Sequence, residues 1–163
     1  MNDYLLPLLL DTNVLLLYLV ARIQVKLIVS MKRLTSFEVG DHEVLGKLMV
    51  EYRSMITTPH VLAEVSNFVD QAPVLYRPAL SASLAQFAVQ HGEEYEPASQ
   101  LVKQRAFESL GMTDTGLLSL SRRATILTTD GRLYSQILGA GGHAINFNHL
   151  RGAEIFKGRQ VRV

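Results

Sequence analysis

The feature that most constrains the fold is "PLLLDTNVLLLYLV", Pro7 to Val20, an almost wholly apolar stretch with Asp11 near its middle. Leu5–Leu10 is a short apolar run without alternation, the pattern of a strand buried on both faces, as in a parallel sheet. Pro7 lies near the start of that run, where a strand tolerates proline. From Val14 the spacing changes. Val14, Leu17, Tyr18 and Ala21 fall at i, i+3, i+4 and i+7, the period of a helix. Asp11 and Thr12 therefore stand at a strand-to-helix junction.

A membrane reading of this stretch fails on length. Its longest uninterrupted apolar piece, Val14–Ala21, has eight residues, whereas a spanning helix needs roughly 20. A secretory leader carries positive charge ahead of its apolar core, and the only early charge here is Asp3. Cysteine is absent, which excludes a disulfide framework, a zinc–thiolate site and a thiol nucleophile, and fits a reducing compartment. The expectation is a soluble, cytoplasmic protein without a membrane partner. The 163 residues contain no low-complexity tract, linker or repeat, so a single domain over residues 1–163 is expected. The net charge of +1 is not the basic excess that marks a nucleic-acid binder unaided. Local patches remain at Lys32-Arg33, Arg122-Arg123 and Lys157, Arg159 and Arg162, for which solvated surface charge is the simpler reading.

Further along, Val25–Ser36 leans toward a helix. Asp41 can cap a helix running to about Tyr52, and Ser54–Thr58 reads as a short strand. Thr58-Pro59 has the form of an N-cap followed by proline at the first helical position, with the helix reaching about Gln71. Helices are expected over Pro78–His91 and Pro97–Leu110, the latter ending at Gly111. Another starts at Thr113 or Asp114 and runs to Arg122. Ala124–Thr129 is a β-branched strand. Leu133, Tyr134, Ile137 and Leu138 have helical spacing stopped by Gly139, Gly141 and Gly142, and Ala144–Phe147 is a last strand. Strands alternating with helices imply an α/β fold, a mostly parallel central sheet covered on both faces. Ligands of such sheets bind at the carboxyl ends of strands, where the chain order reverses. Asp11 and Asp130, in "TILTTDGRLY", are at such ends.

Two further acids occupy helix faces that ought to be apolar. In "TTPHVLAEVSNFVD", Glu64 shares the stripe of Val61, Val65 and Phe68. In "GMTDTGLLSLSRR", Asp114 shares a face with Leu117, Leu118 and Ser121. Each acid has a bland reading. Asp11, Asp114 and Asp130 could simply cap helices, and Asp130-Gly131 could be a hairpin turn, although helical spacing follows it. The number of such acids is what raises the functional reading, since unpaired buried charges are rare. Two carboxylates about 5 Å apart repel by roughly 3 kcal/mol at an effective dielectric of ~20. If the four converge, some keep their protons or cations neutralise them. No Lys or Arg lies within three residues of Asp11, Glu64 or Asp114, whereas Arg132 could pair with Asp130. An oxygen-only ligand set favours Mg²⁺ or Mn²⁺, and a carboxylate-held ion is suited to phosphodiester hydrolysis.

At these residues the chain resembles the PIN-domain nucleases. "LLLDTNVLL" is similar to the opening of that family, "TPHVLAEVSN" to its second acidic segment, and "GMTDTGLLSLS" and "ILTTDGRLY" to its third and fourth. The four occur in order from Leu8 to Tyr134. The resemblance implies a PIN-like three-layer α/β/α sandwich and a Mg²⁺- or Mn²⁺-dependent endoribonuclease leaving a 5′ phosphate and a 3′ hydroxyl. It implies that Asp11, Glu64, Asp114 and Asp130 hold one or two ions, that Asn13 orients Asp11 or a water, and that Thr128 hydrogen-bonds within the acidic cluster. It also implies an RNA substrate and, as in many small bacterial members, a toxin restrained by a cognate antitoxin and forming a homodimer. The chain departs from the compact toxin pattern in Gln24–Asp41, which has no clear counterpart, and in Arg132, where some relatives carry another acid.

Other residues carry less. None of His42, His60, His91, His143 and His149 forms the i, i+4 pair of a zinc helix, and His60 draws notice only by sharing a helix with Glu64. Ser66, Ser119 and Ser121 lack a nucleophile-elbow context. "GAGG" at Gly139–Gly142 is not followed by the Lys-Ser/Thr of a phosphate loop. Tyr18, Tyr134 and Phe147 could stack on bases, but core packing is the simpler reading. Two alternatives stand beside the nuclease: a PIN-like scaffold that binds RNA or protein without catalysis, and a phosphatase with Asp11 as nucleophile. The second is weakened by Asn13, where dehalogenase-type phosphatases carry a second Asp.

Overall fold

A computed structural model of the chain describes residues 5–152. The basic tail residues Lys157, Arg159 and Arg162 lie outside the described residues, as does Asp3. Five strands form one all-parallel sheet: β1 (Leu8–Leu10), β2 (Met55–Thr57), β3 (Gly92–Glu93), β4 (Thr125–Thr128) and β5 (His143–Asn146), in the order β3-β2-β1-β4-β5. Helices flank this sheet, so the α/β class expected from the alternation is the class observed. β1 and β4 are buried at every position. With both faces covered, neither strand has a solvent side, which is why "LLL" and "TILT" show no polar alternation. Strand β3 has no counterpart in the sequence reading. It is two exposed residues, Gly92-Glu93, defined by backbone pairing to Ile56 and Thr57 rather than by any side-chain pattern.

The helices are α1 (Thr12–Ile23), α2 (Asp41–Met49), α3 (Pro59–Val69), α4 (Arg77–Gln90), α5 (Ala98–Leu101), α6 (Phe107–Leu120) and α7 (Gly131–Gly139), and residues 147–152 are helical as well. Thr58 caps α3 as its sequence suggests, its hydroxyl accepting from the Val61 N–H at 3.2 Å with Pro59 next in line. Most boundaries fall within a residue or two of expectation.

Three expectations are corrected. Val25–Ser36 is not a helix but two 3₁₀ turns, Val25–Leu27 and Lys32–Leu34. Ile28, Met31, Leu34 and Phe37 are all buried, at a strict spacing of three. That is the period of a 3₁₀ helix, in which every third side chain shares a face. The helix expected over Pro97–Leu110 is only α5, a run of turns, and the start of α6. α5 buries Leu101 alone, too narrow an apolar stripe to hold a continuous helix. Asp41 does not cap α2, which begins at Asp41 and ends at Met49. Its carboxylate accepts from the Glu38 N–H at 2.8 Å and pairs with Arg151 at 2.9 Å, tying the 3₁₀ segment to residues 147–152. Among the described residues, no helix is long and apolar enough to cross a membrane.

Candidate active site

The chain leaves β1 for β2 and β3 on one side and returns to β4 and β5 on the other. The order reverses between β1 and β4, and the carboxyl ends of these two strands border a crevice. The Asp11 N–H donates to the Leu127 carbonyl at 3.0 Å, which adds one rung beyond the ladder of β1 and β4. Register thus sets Asp11 beside the end of β4. Asp11 is 6% exposed. Its Oδ1 accepts from the Val14 N–H at 3.0 Å and caps α1, and its Oδ2 accepts from the Thr128 hydroxyl. Thr128 in turn accepts from the Asp130 N–H at 2.9 Å, and Asp130 Oδ1 caps α7 through the N–H groups of Arg132 and Leu133. The capping reading of Asp11 and Asp130 is therefore correct, and both still line one cleft. Asp130 is no hairpin tip. Arg132 donates to the Ser109 carbonyl at 3.1 Å.

Glu64 reaches the same cleft from α3. The Thr12 hydroxyl donates to its Oε2 at 3.0 Å and the Thr113 hydroxyl to its Oε1 at 2.5 Å. Three segments far apart in sequence thereby meet at one carboxylate. Asp114 enters from α6, which breaks at Gly111 (φ 79°, ψ −177°), a backbone region open essentially to glycine alone. The helix restarts beyond this break, so Thr113 and Asp114 fall in its first turn at the rim of the cleft. We expect Gly111→Ala to lower stability by about 1–3 kcal/mol, the cost of forcing a side chain into that region. Urea unfolding measures it, and an unchanged midpoint contradicts it.

The cleft has a volume of about 220 Å³ and is lined by Asp11, Glu64, Asp114 and Asp130, with Arg33 as its one cation among the described residues. Electrostatics follow from that imbalance. Burial pushes the Asp11 carboxyl up; its hydrogen bonds from Thr128, Val14 and Thr129 counter this, while the Asp130 charge adds to it. Burial first, and then the charges of Asp11, Asp130 and Glu64, push Asp114 up to about 7, with Arg33 pulling the other way. The donor set, all oxygen and without cysteine, suits Mg²⁺ or Mn²⁺. Among the described residues no three His, Asp or Glu side chains are grouped tightly enough to hold a metal by themselves.

Thr128 hydrogen-bonds within the acidic cluster, as the resemblance implies: it is fully buried, its hydroxyl donates to Asp11 and accepts from the Asp130 N–H, and so it positions a carboxylate. Asn13 lines the cleft, but its Oδ1 accepts from Arg33 Nε at 2.8 Å instead of meeting Asp11. His60 does not line the cleft, Phe147 is core, and Tyr18 packs edge-on against Phe87. The sequence reading missed Thr12 and Thr113 as holders of Glu64, and Arg33 as the cation of the cleft. Thr12 and Thr113, adjacent to Asp11 and Asp114, carried a local hint, and Arg33 stood out only as part of the Lys32-Arg33 pair.

Fold and cleft together define an α/β protein with a parallel sheet and an acidic, oxygen-lined cleft at the point where its strand order reverses. No family model matches the chain, and neither a curated protein nor a solved structure matches it.

Proposed function

We propose that this protein is a metal-dependent endoribonuclease with a PIN-like fold. One observation carries the reading: four carboxylates from four separate chain segments line one cleft at the strand-order reversal, facing a single arginine among the described residues. Asp11 and Asp114 would hold the ion, with Glu64 and Asp130 completing the site through water. Bound there, a divalent ion supplies Lewis-acid stabilisation of a phosphate oxygen and a source of hydroxide at neutral pH. The protein's part is to keep the ligands still. Thr128 and the Val14 N–H fix Asp11, and Thr12 and Thr113 fix Glu64. Both oxygens of Asp11 are already engaged, an arrangement that favours a fixed ligand over a nucleophile that must reach a phosphorus atom.

The test is incubation of total RNA with Mn²⁺ and, in parallel, with chelator, followed by mapping of the cut ends. We expect chelator-sensitive cleavage leaving 5′ phosphates and 3′ hydroxyls. No cleavage, or 2′,3′-cyclic ends made equally well in chelator, ends the proposal.

A further inference from the structure

Arg33 stands beside four carboxylates yet forms no ion pair with any of them among the described residues. Its Nε donates to the neutral amide oxygen of Asn13 at 2.8 Å, and its guanidinium carbon lies 4.6 Å from the centre of the Phe68 ring. Asn13 lies in the first turn of α1 and Phe68 belongs to α3, so the planar group is held from two sides. The turn that carries it, Lys32–Leu34, is anchored by buried Met31 and Leu34. The two terminal nitrogens make no hydrogen bond to the described residues. Arg33 is exposed, so these donors face solvent at the cleft that Arg33 lines, in a fixed fork whose geometry matches two oxygens of one phosphate.

We infer that Arg33 grips a backbone phosphate of the RNA beside the scissile bond through its terminal nitrogens, and so positions the strand over the acids. The inference rests on the nuclease reading and deepens it. An acid-lined cleft repels a polyanion, and a pre-set cation at its edge offsets that repulsion where the strand enters.

The experiment compares wild type with Arg33→Met, Arg33→Lys and, as a control, Arg22→Ala. Arg22 sits in the last turn of α1, at the opposite end of the 12-residue helix that starts beside Asp11, and it donates to Tyr18. Arg33→Met keeps the stem over Phe68 and removes the charge. We expect KM for a single-stranded RNA to rise roughly tenfold to a hundredfold, the value of a charged hydrogen bond to phosphate. Fluorescent RNA binding to the same variants in an Asp11→Asn background should lose about 0.7 from the slope of log affinity against log salt, one phosphate contact on a single strand. Arg33→Lys should recover the salt slope but only part of KM, since the fork and the ring contact are lost. Arg22→Ala should match wild type in both. Wild-type KM and slope in Arg33→Met, with cleavage intact, overturn this inference alone. A wild-type protein that neither cleaves nor binds RNA overturns the nuclease reading and this inference with it.

Discussion

Replacing Asp11 with asparagine is expected to lower RNA cleavage by roughly a hundredfold or more while the protein remains folded. The loss follows from chemistry. An amide oxygen is a neutral donor, so the ion is held more weakly, and several kcal/mol of charge stabilisation at the phosphate go with it. Survival of the fold follows from geometry. Asn is nearly the same shape, its carbonyl oxygen can still accept from the Val14 N–H, and asparagine is as good an N-cap as aspartate. The Thr128 hydroxyl can rotate to accept from the new amide, although it already accepts from the Asp130 N–H. Because a buried charge is removed, the melting temperature should hold or rise. Single-turnover cleavage and thermal melting are the two measurements. Wild-type cleavage in the variant refutes Asp11 as a ligand, and loss of cooperative melting would mean that the residue is chiefly structural.

Asp114→Asn should raise stability by an amount that depends on pH. The folded protein holds the Asp114 proton up to about 7, whereas the unfolded chain releases it near 3.8. Between those values the folded state binds more protons than the unfolded one, so stability of the metal-free protein falls as pH rises. Above about 7 the slope from this group vanishes and the penalty is fully present. Asp11, displaced in the same direction by burial, adds to the trend. Asp114→Asn cannot titrate. It should melt with wild type at pH 3 and several degrees higher at pH 8, each kcal/mol being worth about 2–4 °C at this chain length. Mn²⁺ should raise the wild-type melting temperature more at pH 8 than at pH 5, where it must displace the proton. It should raise that of Asp114→Asn much less at either pH. Equal melting of the two proteins across this range, without metal, would show that the Asp114 carboxyl is not crowded by the other acids.

Particular residues show how far local sequence reaches. Asp11, Thr58-Pro59 and Asp130 were legible because an N-cap is satisfied within three residues of itself: Val14, Val61 and Leu133 supply the N–H groups. Glu64 and Asp114 were legible as acids on apolar stripes, since helical period alone assigns a face. The 3₁₀ segment was misread although its signal was present, as buried residues spaced by three and not by alternating three and four. β3 left no signal, being backbone pairing without a side-chain pattern.

What the sequence determined by itself is the alternation of strand and helix and the junctions at which each acid sits, because those depend on contacts one or two turns away. What only the tertiary structure decided is which acids share a cleft and what stands among them. The Glu64 bonds to Thr12 and Thr113 span 52 and 49 residues, and Arg33 reaches Asn13 across 20. No periodicity encodes such pairings. They are set when β4 lies down against β1 rather than β3, bringing Asp130 to Asp11, and when the turns that carry Arg33 bury Met31 and Leu34 above α1.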